Sequence, residues 1–291
     1  MDSPSKTSQR NSRHYDFVLD AWQLIYGNNF HAGYFHRADE SFKEATENLT
    51  GLLAGLGTFS EKSRVLDVGC GIGGPATFLY ERYGCHVQGI STSEREILKA
   101  RELAKHKGCD SHLTFAVADA KDNKLPDLSF DIVWAMESFH LIDNKTKAFA
   151  ECARVLKNGG QLLLCDNMSG RALSDAEIVK YYQELRLLER VFGKTRTEPL
   201  SGYESAASKA GFTEVVCRDI SRQTMPPTIE YFSRRLKAHY QELGDRSSKQ
   251  YVDDFLNMCD IYLHFNAMGI MSYGLLKAIK PHAKPGRGFL S

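Results

Sequence analysis

Val65-Leu66-Asp67-Val68-Gly69-Cys70-Gly71-Ile72-Gly73-Gly74-Pro75 is the stretch that decides the fold. A short apolar run with one acidic residue, 64–68, reads as a strand. It breaks into glycines, and a helical pattern follows from about 74 to 83. Glycines in such a loop let backbone approach a ligand with no Cβ in the way. The helix start adds unpaired N–H groups and a partial positive charge. Gly69, Gly71 and Gly74 also satisfy the G-x-G-x-x-G dinucleotide pattern. Two features weigh against a dinucleotide. The next strand ends Gly89-Ile90-Ser91, without the acid that would hold a ribose. Asp67 would repel a pyrophosphate, whereas a ligand carrying an ammonium would welcome it.

Outward from this loop, strand and helix patterns alternate. Residues 86–90 read as a second strand, 93–107 as a helix, and 113–116, 130–135 and 161–165 as further strands. A helix over 145–156 precedes the last of these and is expected to end at the C-cap Asn158-Gly159-Gly160. Alternation of this kind predicts an α/β fold: a mostly parallel, Rossmann-like seven-stranded sheet with helices on both faces. Right-handed crossovers then gather the loops after the strands on one edge, where ligands bind.

On the amino-terminal side, residues 1–12 are rich in Ser, Lys and Arg and read as disordered. Helical spacing covers 15–26 and 41–56. On the carboxyl-terminal side, 174–192 reads as one long helix with the capping-box start Ser174-Asp175-Ala176-Glu177. A helix over 203–210, a strand near 214–220, helices over 228–243 and 249–265, and a last strand over 270–279 follow. Pro226-Pro227 is expected to open the first of that helix pair, and 281–291 to be loose. The organisation implied is a helical lid (1–60), a Rossmann-like core (61–168), and a helical acceptor cap carrying the last two strands (169–291).

Bulk properties narrow the function. The chain has 291 residues, 42% apolar and 25% charged, with a formal net charge of +1. Near-neutral charge gives no electrostatic case for nucleic acid. The seven cysteines form no C-x-x-C pair and suit a reducing compartment. No secretory signal or run long enough for stable membrane insertion stands out, so the expected location is cytoplasmic. No acidic cluster supplies metal ligands. A homodimer or higher homo-oligomer is left open.

At this point the sequence resembles a known family. Asp67-Val68-Gly69-Cys70-Gly71 is similar to motif I of class I S-adenosylmethionine-dependent methyltransferases. Asp119-Ala120, Phe130-Asp131-Ile132-Val133-Trp134 and Val155-Leu156-Lys157-Asn158-Gly159-Gly160 resemble the family's later signatures, in order and at the usual spacing. The resemblance implies S-adenosyl-L-methionine as cofactor. It places Gly69 and Gly71 at the methionyl end, Asp67 near its amino group, and Asp119 and Ala120 beside the adenine. Ser91 and Thr92 stand where a ribose-binding acid is usual, so that contact would be hydroxyl or backbone. Among lid residues His14, Tyr15, His31 and Tyr34, Tyr15 is the expected cofactor contact.

Trp134-Ala135-Met136-Glu137-Ser138-Phe139-His140, with Asp166, resembles sugar O-methyltransferases of the rebeccamycin type and tocopherol methyltransferases. That implies His140 as the base that deprotonates a hydroxyl acceptor, with Asp166 either orienting it or binding the acceptor. Family patterns pair this histidine with a second; here Leu141 follows. Glu137 is expected to border the cofactor and to bind the acceptor, cap a turn, or stabilise a cation during C-methylation of a prenyl or quinone-like substrate. N-methylation of a small amine stays open, as does a cofactor-binding protein without transfer. Tyr181, Tyr182, Phe192, Tyr231, Phe232 and Met258 suggest a roof for a hydrophobic or aromatic small-molecule acceptor.

Overall fold

The computed structural model describes residues 6–282; the expectations for residues 1–5 and 283–291 lie outside the described residues. Two helices, α1 (Lys6–Tyr26) and α2 (Phe42–Ala54), precede the sheet. Then come β1 (Arg64–Val68), α3 (Gly74–Tyr83), β2 (His86–Ser91), α4 (Glu94–His106), β3 (Leu113–Val117), β4 (Phe130–Met136), α5 (Lys145–Val155) and β5 (Leu156–Ser169). The carboxyl-terminal part holds α6 (Asp175–Lys180), α7 (Tyr182–Phe192), α8 (Leu200–Lys209), β6 (Thr213–Asp219), α9 (Ser221–Ala238), α10 (Tyr240–Arg246), α11 (Lys249–Ala267) and β7 (Met271–Ile279).

The strands form one seven-stranded sheet in the order β3-β2-β1-β4-β5-β7-β6. Strands β1 to β5 pair in parallel, and β7 runs antiparallel to both β5 and β6. The sheet is buried on both sides, which is why β1 and β4 are almost wholly apolar rather than alternating. One face packs against α1 to α4, α7, α9 and α11; the other packs against α5 and α8. The order reverses between β1 and β4, so the crevice for a ligand opens at their carboxyl ends.

Several local expectations are corrected. Residues 6–12 are helical rather than disordered, because α1 is tied down from its second turn. The buried Asn11 amide donates to the carbonyls of Lys194 (3.2 Å) and Leu141 (3.4 Å), and its oxygen accepts the Lys194 N–H at 2.9 Å. Gly159 is not a helix cap. Helix α5 stops at Val155, Leu156 is already extended, and Gly159 (φ +77°) shapes a turn inside β5, where its N–H donates to Lys280 O at 2.8 Å.

The single helix over 174–192 is two. The chain breaks at Tyr181 (φ −100°, ψ 20°), whose ring is buried edge-on against Phe265. The capping box of Ser174 with Glu177 is present as expected. Pro226 and Pro227 lie inside α9 rather than at its start. A proline there removes the N–H that would bond the carbonyl four residues back. For Pro227 that carbonyl belongs to Gln223, and the Phe35 N–H takes it instead at 2.9 Å. The interior proline thus leaves an acceptor that the lid loop uses.

Two loops meet at the crevice. The Ser138 hydroxyl donates to Val68 O at 2.6 Å, and a Cβ on Gly69 (φ +80°) would lie 2.3 Å from Ser138 Cβ. Gly69→Ala is therefore expected to lower unfolding free energy by about 2–4 kcal/mol, measured by urea denaturation; a change below about 0.5 kcal/mol would contradict the close approach.

Candidate active site

The loops following β1 to β4 converge on one chamber that α1, α7 and α9 close from above. Gly69, Gly71, Ser91, Thr92, Asp119 and Ala120 line it from the sheet edge, and Tyr15 from α1. Glu137 and His140 line its other half. Asp67 and Asp166 do not face the chamber; each stands one layer behind it.

The buried carboxyl of Asp67 has an oxygen, Oδ2, with no hydrogen-bond partner among the described residues. Burial pushes this acid up to about 7. Beside it, Gly71 (φ +49°) has no atom within 4 Å of where a Cβ would stand, and α3 begins at Gly73 with no side-chain cap. An orphaned acid oxygen beside an open glycine position fits a ligand that presents an ammonium.

At the end of β2 the Ser91 hydroxyl is already committed. It donates to Glu96 Oε2 at 2.6 Å and accepts the Ser93 N–H. Glu96, on the first turn of α4, is buried, lines the chamber, and is pushed up to about 7 by desolvation. The acid missing from the strand end is present five residues later, presented by the helix. Asp119 Oδ1 accepts the Lys121 N–H (2.9 Å), and Lys121 is ion-paired to Asp143 at 2.6 Å. The Tyr15 ring faces the chamber while its hydroxyl points to Phe192 O at 3.4 Å.

The other half is built on Glu137 and His140. Glu137 holds a left-handed backbone (φ +49°), uncommon for a residue with a side chain and often found where a site dictates geometry. Its Oε1 accepts the Ala32 N–H (2.6 Å) and the Tyr273 hydroxyl (2.8 Å), and its Oε2 accepts the Asn167 amide at 3.3 Å. Burial still pushes it up to about 7. His140 Nδ1 lies 2.5 Å from Asp166 Oδ1. Asp166 also accepts the Asn167 N–H (2.9 Å) and the Tyr203 hydroxyl at 3.0 Å. A carboxylate that takes these donors accepts from Nδ1 too, which leaves the imidazole Nε2 with its lone pair.

The surrounding walls are Trp22, Tyr26, Phe30, Phe192, Phe232 and Met225, with Thr195 and Thr197 near His140 in sequence-distant loops. Of the six residues expected to roof the acceptor, only Phe192 and Phe232 line the chamber. Tyr181, Tyr231 and Met258 pack elsewhere in the core, and Tyr182 is exposed. Among the lid residues, His14 binds Val191 O, His31 binds Ala32 O, and Tyr34 packs on His36. None of those three reaches the chamber.

A family described as a methyltransferase domain matches residues 66–164, the glycine loop through β5. The 27-O-demethylrifamycin SV methyltransferase of Amycolatopsis mediterranei is 34% identical over 216 residues, 73% of this chain and 76% of the relative. This chain belongs to the S-adenosylmethionine-dependent methyltransferases. It is an enzyme that uses S-adenosylmethionine to methylate small molecules. The sarcosine/dimethylglycine N-methyltransferase of Halorhodospira halochloris is 27% identical, with 86% of this chain and 87% of that one aligned. The crystal structure of the [4+2]-cyclase SpnF superposes with a TM-score of 0.82 at 27% identity, covering 97% of this chain and all of the other. No described helix of this methyltransferase is long and apolar enough to cross a membrane.

Three residues of the site escaped sequence reading. Glu96 sits on a helix, where its charge reads as a solvated face. Asn11 lies in a polar tract. Tyr203 touches Asp166 only because α8 packs behind β5. The serine after Glu137 and the glycine after Val68 carried a readable signal, since two loops meeting tightly need one small partner.

Three buried acids, Asp67, Glu96 and Glu137, rise from 3.8 or 4.5 to about 7. Across the window from about pH 4 to 7 the folded protein keeps protons that the unfolded chain has released, so stability falls as pH rises. Without cofactor, the protein is expected to lose roughly 2 kcal/mol or more of unfolding free energy between pH 5 and pH 8. Urea titrations at the two pH values check this, with Asp67→Asn flattening the slope; equal or greater stability at pH 8 would refute it.

Proposed function

We propose that this methyltransferase methylates a hydroxyl of a neutral, largely apolar or aromatic acceptor, with His140 as general base. The observation that carries the reading is the buried pair of His140 and Asp166. The pair leaves Nε2 as an acceptor at the chamber wall. Bound S-adenosylmethionine supplies an electrophilic methyl group. Asp67, one layer behind the glycine loop, would attract its ammonium, Gly69 and Gly71 would admit the methionyl backbone, and Glu96 would bind ribose hydroxyls in place of Ser91 and Thr92. Asp119 and Ala120 would border the adenine, with Tyr15 closing the lid over it.

The acceptor hydroxyl would give its proton to His140 Nε2 as its oxygen takes the methyl. The imidazolium so formed is matched by Asp166. Aromatic walls exclude water and hold the oxygen in reach of Nε2, and positioning of this sort supplies much of the rate. Lys121 is the only Lys or Arg among the described residues lining the chamber, and it is paired with Asp143. That favours an uncharged acceptor over one carrying a phosphate or carboxylate. The relative named for a demethylrifamycin acceptor is consistent with a bulky one.

A second reading, C-methylation with Glu137 stabilising a cation, draws on the buried carboxyl at the chamber. Against it, three donors already occupy that carboxyl, one of them the lid's Ala32 N–H. Glu137 is better suited to fasten the lid loop at the sheet edge.

Transfer from methyl-labelled S-adenosylmethionine to a panel of phenols and to 27-O-demethylrifamycin SV tests the reading, with the product examined by NMR. Label is expected on oxygen. His140→Ala is expected to lower turnover about 10²–10⁴-fold while calorimetry shows the cofactor dissociation constant changed by less than about 2-fold. Label on carbon, or unchanged turnover in His140→Ala, would overturn it.

A further inference from the structure

We infer that Tyr203 is a positioning residue for the transfer: its hydroxyl fixes the Asp166 carboxyl, which in turn fixes the His140 imidazole. The inference rests on the reading of His140 as base and extends it by one residue outward.

Tyr203 lies in the first turn of α8, on the far side of the sheet edge from the chamber, and its side chain is fully buried. It does not line the chamber, so it cannot touch an acceptor or the cofactor. Its hydroxyl donates to Asp166 Oδ2 at 3.0 Å, while Oδ1 takes the Asn167 N–H and His140 Nδ1. The two oxygens of Asp166 are thus divided. One edge serves the histidine, and the other is held from behind by the phenol. A carboxylate held at one oxygen only could rotate about its Cβ–Cγ bond, and the imidazole would follow.

The phenol stays protonated, because burial and the Asp166 charge push it well above its ordinary range. It is therefore a donor at every working pH. The same cluster pins the His140 backbone: the His140 carbonyl accepts the Arg196 N–H at 2.6 Å. The buried Lys145 ammonium donates to the carbonyls of Ile142 (3.3 Å) and Arg196 and lies 5.5 Å from the centre of the Tyr203 ring. The other charged groups that bear on this cluster are Glu198, Asp143 and the Arg196 guanidinium near Lys145, and Glu137 near His140. Tyr203 and Lys145 together hold both ends of the residue that needs to be placed, the ring through Asp166 and the backbone through Arg196.

Removing only the hydroxyl, in Tyr203→Phe, keeps the ring over Lys145. Proton NMR of the full chain with S-adenosylhomocysteine bound reads the hydrogen-bonded Nδ1 proton of His140 directly, assigned by its loss in His140→Gln. With one donor gone from Asp166, the carboxylate becomes a stronger acceptor and this resonance is expected to move downfield. In an Asp166→Asn background, Tyr203→Phe is expected to change nothing further, an interaction that a merely structural role would not show. Labelled transfer is expected to fall about 3- to 30-fold, in turnover rather than in acceptor KM.

Site-specific 3-fluorotyrosine at position 203, a stronger donor of nearly the same size, is expected to move the resonance the opposite way. It tests the point if the Phe variant folds poorly. An unmoved resonance in both variants would overturn the inference, and so would equal effects of Tyr203→Phe with and without Asp166. Failure of the base reading looks different. There, His140→Ala transfers methyl at the wild-type rate while the Nδ1 resonance still answers to position 203.

Discussion

The carboxyl ends of β1 and β4 are joined through one small side chain, that of Ser138, with no room for a second, and the site depends on that contact. Val68 O takes the Ser138 hydroxyl, and Gly69 passes over Ser138 at a distance no Cβ could tolerate. Because the strand order reverses at this point, the glycine loop and the segment from Glu137 to His140 are brought to one chamber. Next to this approach Glu137 holds a left-handed backbone, and its carboxyl bridges the lid's Ala32 N–H to Tyr273 and Asn167 of the sheet. The glycine-loop half and the Glu137–His140 half of the chamber therefore meet at this one contact.

Around this contact the protein buries acids without matching cations. Asp67 has an unpartnered oxygen, Glu96 has a serine hydroxyl, and Glu137 has neutral donors only. In a low-dielectric site such groups resist ionisation, and each is a place where folding is less favourable than it could be. A ligand that brings an ammonium and hydroxyl donors relieves the two on the cofactor side. Glu137 is relieved by the chain itself, through Ala32 and Tyr273.

The sheet was legible because burial on both faces leaves near-continuous apolar runs, and 64–68, 130–135 and 161–165 carry that mark, the first and last of them beside glycines. So was the acid–glycine loop, whose glycines fit a dinucleotide pattern but whose Asp67, with no acid at the end of the next strand, does not. The helical cap was less legible, and for definite reasons. Local rules put Pro226 and Pro227 at a helix start, but a tertiary donor, Phe35 N–H, satisfied the carbonyl that an interior proline leaves behind. Gly159 has the chemistry of a cap and serves a strand turn instead. Aromatic residues at helical spacing do not announce whether they face a core or a chamber; Phe192 and Phe232 face the chamber, and Tyr181 and Met258 do not. Glu96 was invisible because a charged residue in the first turn of a helix reads as a solvated face, and Tyr203 because its partner Asp166 is brought to it only by packing between distant segments.

The central claim is that His140 removes a proton that the acceptor would otherwise keep. Its most direct test is to compare the wild type with His140→Ala across a series of phenols of similar shape and falling pKa. A base matters most for the least acidic hydroxyl and little for one already ionised in solution. The account predicts that the ratio of the two rates is large for an alkyl-substituted phenol and shrinks towards one for a nitrophenol. A ratio that stays constant across the series would show that His140 shapes the site without taking the proton, and would contradict the account.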